Sequence, residues 1–157
     1  MMHAHMFKES AARSRVCPMC GIPADSQYFD ESKVAAAPAV GREVLLAHFE
    51  LPPQYCGVLE YFAQFNDAYG KDPSRIHTPG LQWLILVNKR PLYPYTNVDR
   101  ILNPWGNGSF QVSIRLDENS TVEFLARRIS DNAPEVTSVG GRIIGRYWYN
   151  AAYGDVV

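Results

Sequence analysis

The sequence has no apolar run near the roughly 20 residues that a helix needs to cross a bilayer. Its first 20 residues also lack the roughly 7–15-residue apolar centre of a secretory signal. A soluble protein not exported by that route, with no membrane partner, is expected. Net charge is scarce as well: 15 Lys and Arg stand against 16 Asp and Glu, leaving a formal charge of −1. Binding along a phosphate backbone needs many cationic contacts, so nucleic acid is not expected as the main partner. Arg13-Ser14-Arg15 offers only a local basic patch.

Cysteine is sparse, and its count of 3 is odd, so a closed set of intrachain disulfides is impossible. A bond between Cys17 and Cys20 would close too short a loop to restrict the unfolded chain much. A reducing compartment is expected. Signatures of catalysis are missing too: the sequence has no Gly-x-Ser-x-Gly, no Gly-rich phosphate loop and no His-Glu-x-x-His. His48 and Glu50 share one side of a predicted strand, which makes a pair and not a triad. Asp117-Glu118 falls in a predicted hairpin turn, where both carboxylates are solvated. No catalytic residue and no enzyme are expected.

What is present divides near residue 40. Residues 1–40 show no sustained apolar period, and Pro38 bars a continuous helix, so this stretch reads as an extended N-terminal arm. Such arms order when they lie on a partner. Residues 41–150 alternate between short apolar segments and turn residues, and 151–157 form a tail. "REVLLAHFEL" ends at Pro52-Pro53, where a strand must stop or lie at an edge. In "GVLEYFAQF", Leu59, Tyr61, Ala63 and Phe65 fall on one side at period 2, although Val58, Phe62 and Phe65 also fit a short helix. "NDAYGKDPSRIHTPG" reads as a polar exposed loop. "LQWLILVN" is apolar on both sides, as in a strand covered on both faces or meeting a neighbouring subunit.

The second half alternates more plainly. In "SFQVSIRLD", Phe110, Val112, Ile114 and Leu116 face in, and in "TVEFLARRI" Val122, Phe124 and Ala126 do. "DENS" is the turn between them. "VTSVGGRIIGRYWYN" supplies the last strand, with Gly140-Gly141 marking a bulge or bend. Seven or eight short strands and no long helix predict an all-β fold, an antiparallel β-sandwich of the jelly-roll kind.

Two features carry possible chemistry. Cys17-Pro18-Met19-Cys20-Gly21 is half of a zinc site: the spacing lets two thiolates reach one ion, and Gly21 lets the backbone curl around the sulfurs. The missing ligands could be His3 and His5, or Cys17 and Cys20 of a second copy; ordinary thiols in an arm are the plain alternative. A redox dithiol would need a βαβ context that the flanks do not offer. Cys56 reads as a small buried hydrophobe. The second feature is aromatic: Tyr93, Tyr95 and Trp105 lie on predicted loops, and alternation in "RYWYN" sets Trp148 opposite Tyr147 and Tyr149. Loop aromatics of this sort stack on a carbohydrate or other ligand, anchor a protein interface, or belong to the core and its edges.

Residues 49–149 carry "FELPPQYCGVL", "LQWLILVNKRPLYPY", "FQVSIRLDENSTVEF" and "GRIIGRYWY" in that order. This succession resembles small jelly-roll structural proteins of tailed bacteriophage virions. The resemblance covers about two thirds of the chain and excludes the cysteine arm. It implies a virion component of head decoration, collar or tail, assembled in the host cytoplasm. It further implies homo-oligomers and contacts with other virion proteins, without catalysis. Lys89 stands where Gly would ease a tight hairpin, so a longer or differently shaped turn is expected there.

Overall fold

A computed structural model describes residues 22–23, 26–67, 80–92, 109–132 and 134–150. The eight strands are β1 (Gln27–Ala36), β2 (Glu43–Glu50), β3 (Tyr55–Asn66), β4 (Leu81–Val87), β5 (Arg90–Pro91), β6 (Ser109–Leu116), β7 (Thr121–Arg128) and β8 (Ser138–Tyr149). Sheet 1 has the order β1-β8-β3-β6 and sheet 2 the order β2-β7-β4-β5. All pairings with a given register are antiparallel. The pairs β1–β8, β2–β7, β3–β6 and β4–β5 are nested. The chain therefore follows the path of one long hairpin, tip at Asn88-Lys89, rolled into two layers. The fold is an all-β sandwich.

The core lies between the layers. Phe29, Leu59, Phe62, Leu116, Val139 and Ile143 from sheet 1 meet Leu46, Trp83, Ile85, Val122, Phe124 and Ala126 from sheet 2, all buried. The alternation of β6 and β7 holds: Leu116, Val122, Phe124 and Ala126 are buried, and Val112 and Ile114 pack against the core. β4 is apolar on both sides, with Leu81, Trp83 and Ile85 in the core and Leu84 buried on the opposite face.

Four expectations are corrected. The sandwich does not begin at residue 41, because Gln27–Ala36 pairs with β8 along its whole length. Phe29 anchors that strand in the core. The predicted face Leu59, Tyr61, Ala63, Phe65 is split: a bulge between Leu59 and Tyr61 inserts Glu60 and reverses the phase. Leu59 and Phe62 point inward, while Tyr61 and Phe65 are exposed. Gly140-Gly141 is no bulge, since β1 and β8 keep register through it. A Cβ on Gly141 would sit 2.5 Å from the Phe124 ring and 2.9 Å from Leu46 Cβ, so the glycine lets the two layers close. Finally, the β4–β5 turn is a tight two-residue one despite Lys89.

That turn has Asn88 at φ 52° and Lys89 at φ 65°, both left-handed, as a type I′ hairpin requires. Neighbouring groups hold it. Thr121 N donates to Asn88 Oδ1 at 3.0 Å, and Asn88 N donates to Thr121 O at 2.9 Å. Lys89 Nζ reaches Glu123 Oε1 at 2.5 Å. The ion pair accompanies a backbone conformation that costs an L-residue about 1 kcal/mol or more.

Buried polar groups tie the loops to the strands. Arg128, 5% exposed, donates to Pro38 O and Val136 O, each at 2.8 Å. It clasps the β1–β2 connection to the β7–β8 connection. Asp67 accepts from Thr137 N at 3.0 Å and Ser138 N at 3.1 Å, fixing the end of β3 to the start of β8.

Candidate interaction face and the cysteine cluster

The outward side of sheet 1 is built in cross-strand rows over β1, β8 and β3. Register aligns Val34, Gly140 and Phe65 in one row, then Ser32, Arg142 and Ala63, then Asp30, Ile144 and Tyr61. Val34 is 66% exposed, Phe65 49% and Tyr61 44%. Gly140 leaves a slot between two apolar side chains: an added Cβ would lie 3.2 Å from Val34 Cγ2 and 3.4 Å from Phe65 Cβ. Two adjoining depressions of about 290 and 330 Å³ lie here, the first over Val34, Phe65 and Gly140, the second over Tyr61 and Ile144. Ala63 and Arg142 line both.

The charges on this face cancel locally. Arg142 grips Asp30 with two nitrogens, at 2.7 and 2.5 Å, and Arg146 grips Glu60 in the same forked way. The Arg142 guanidinium holds the Asp30 carboxyl below its usual range, chiefly by hydrogen bonding. Arg146 also lies over the Tyr28 ring, 5.6 Å from its centroid. Both arginines are thus committed within the face.

Trp148 lies on the same outward side, but at the far end of the sheet. It pairs in register with Cys56 across β8 and β3. Cys56, Val58 and Trp148 are buried together, and Ile22 packs against them. Burial pushes the Cys56 thiol up to about 11. The expectation of a small buried hydrophobe fits its 7% exposure. The predicted alternation of "RYWYN" also holds. Tyr147 turns to the inside, 5.4 Å from the Phe49 ring, whereas Tyr149 is half exposed against Tyr55.

On the outward side of sheet 2, charged groups gather around Glu123. His48 faces outward on sheet 2 opposite Glu123, with Nδ1 at 3.7 Å from its Oε1. Glu123 is only 7% exposed and is shared with Lys89. Lys89 and Glu123 are 34 residues apart and meet only through the β4–β7 register, so no local pattern reveals this cluster. Among the described residues, no group of three or more His, Cys, Asp or Glu side chains is placed to hold a metal. No helix of the described residues is long and apolar enough to cross a membrane. Cys17, Cys20, His3, His5, Tyr93, Tyr95, Trp105 and residues 151–157 lie outside the described residues. No family model matches the chain, and no curated protein matches it.

Proposed function

We propose that this protein is a structural component of a tailed-phage virion, a jelly-roll domain that acts by homo-oligomerisation and contacts with other virion proteins. The observation that supports it best is the outward face of sheet 1. Val34, Phe65 and Tyr61 form an exposed apolar strip, and the arginines of the neighbouring rows, Arg142 and Arg146, are paired with Asp30 and Glu60. Such a face can be buried without stranding a charge, and unpaired buried charge is what most penalises an interface. A slot at Gly140 beside a projecting Phe65 places a hole next to a knob on one surface. A second copy related by a two-fold axis can answer each with the other. The nested strand pairing fits the jelly-roll reading.

Light scattering over a concentration series tests this. The wild type should exceed its monomer mass of 17.7 kDa. Phe65→Asp should return it to the monomer without changing its melting temperature. A wild type that stays monomeric at high concentration and binds no virion component contradicts the reading. Glycan binding that is lost in Trp105→Ala would point instead to a carbohydrate-binding module.

A further inference from the structure

We propose that β1 makes a second contact between copies: its free edge pairs antiparallel with β1 of another copy, about a two-fold axis at Ser32. This goes beyond the outward face of sheet 1, and rests on that reading for the size of the assembly but not for the pairing itself. β1 ends sheet 1 and, among the described strands, pairs with β8 alone. It is 10 residues long, with only Phe29 buried and Ala35 half-buried. A strand so long and so exposed is a template for a further strand.

Backbone direction decides which groups the edge offers. Ala37 N donates to Thr137 O at 2.9 Å, continuing the register that sets Ala36 opposite Ser138. Hydrogen-bonding groups alternate sides along an antiparallel strand, so Ala35, Lys33 and Glu31 turn theirs toward β8. Tyr28, Asp30, Ser32, Val34 and Ala36 turn theirs to the free edge, and all five residues are exposed.

Side chains choose the partner. Phe29 points into the core, so Glu31 and Lys33 fall on the same inward side, where both are exposed. Inward charges on an edge bar most strands. Glu31-Ser32-Lys33, however, complements itself when a copy runs antiparallel. Glu31 of each copy then meets Lys33 of the other in a non-hydrogen-bonded pair, where side chains come closest. Between these two pairs, Ser32 exchanges both backbone bonds with its counterpart. Centring the axis on Glu31 or Lys33 would set like charges opposite each other. Centring it on Asp30 or Val34 would leave Glu31 and Lys33 without charged partners. The charges thus admit a second copy in one register and reject the others. One strand edge buries less than the roughly 1,200 Å² of a stable interface, so it joins copies that the outward face has already gathered. Two different two-fold contacts per copy carry the assembly past a dimer.

Light scattering and cysteine crosslinking of the full-length protein test this. The wild type should exceed a dimer. Glu31→Lys and Lys33→Glu should each reduce it to the dimer held by the outward face, and the two substitutions together should restore the larger mass. Both side chains are exposed, so melting temperatures should stay near that of the wild type. Ser32→Cys should form an interchain disulfide on mild oxidation, because its two α-carbons lie about 5.5 Å apart, within disulfide reach. Ala36→Cys should form none beyond the wild-type level, because its counterpart lies about 27 Å away in this register. If Phe65→Asp stays dimeric and Glu31→Lys dissolves that dimer, the edge pairing stands and the outward-face contact falls. Three results would overturn the edge pairing: an unchanged mass in Glu31→Lys, no recovery in the double variant, or Ala36→Cys linking as readily as Ser32→Cys.

Discussion

Gly145→Ala is the sharpest test of how β1 joins the sandwich. Gly145 pairs with Phe29 across β8 and β1, and a methyl group there would collide with the Phe29 ring and with Val58 O. The carbonyl belongs to the β3 backbone, so relief must come mainly from the ring. Phe29 is 4% exposed and stacks on Phe49, centroids 4.1 Å apart and planes within 7°. Driving it out forfeits about 2.5 kcal/mol of burial. Loss of the stacking adds about 1 kcal/mol. Replacing Gly within a strand returns about 0.5 kcal/mol. The net cost is about 3 kcal/mol, or a melting temperature lower by about 9 °C for a chain of this size. A double-mutant cycle isolates the cause. In a Phe29→Ala background the ring is already gone, so Gly145→Ala should cost clearly less, leaving a coupling of about 1 kcal/mol or more. Thermal unfolding of the four proteins, with hydrogen exchange of the β1 amides, reads both quantities. An unchanged melting temperature in Gly145→Ala, or strictly additive losses, would refute the packing of β1 described above.

Lys89→Gly should relieve about 1 kcal/mol of left-handed strain yet leave Glu123 without its ammonium. The net effect is a loss of about 1 kcal/mol in urea unfolding, recovered when Glu123→Gln is added. Arg128→Met keeps the volume of the buried side chain but strips the donors from Pro38 O and Val136 O. Two unsatisfied carbonyls should cost about 3 kcal/mol, read as a lowered denaturation midpoint. Because Arg142 depresses the Asp30 pKa in the folded state, that pair contributes stability above the unfolded value near 3.8 and loses it as pH falls through the folded value. The stability gap between wild type and Asp30→Asn should therefore be greatest at neutral pH and close in acid. It should stay small throughout, because both side chains are about half exposed.

Strands with one wet face were legible in the sequence, and those that break the alternation were not. β6 and β7 announce themselves because Val112, Ile114 and Leu116 of the one and Val122, Phe124 and Ala126 of the other are apolar at inward positions, while most outward residues are polar. β1 hides because its inward positions after Phe29 are Glu31 and Lys33, both exposed on an edge strand. Inward charges on an edge discourage pairing with another chain, and they also erase the period that would reveal the strand. In β3 a single inserted residue, Glu60, reverses which side chains share a face. The exposed apolar strip of sheet 1 was illegible for a further reason. Val34, Gly140 and Phe65 come from three distant segments, and only the register of β1, β8 and β3 makes them neighbours.

The central claim, that the outward face of sheet 1 is where copies meet, is tested most directly by hydroxyl-radical footprinting at low and high protein concentration. Phe65, Tyr61 and Val34 should lose reactivity as concentration rises. Tyr149, 52% exposed and on the opposite side of β8, should not change. Equal oxidation of Phe65 and Tyr61 at both concentrations, in a sample that light scattering shows to be associated, would place the contact elsewhere and contradict the account.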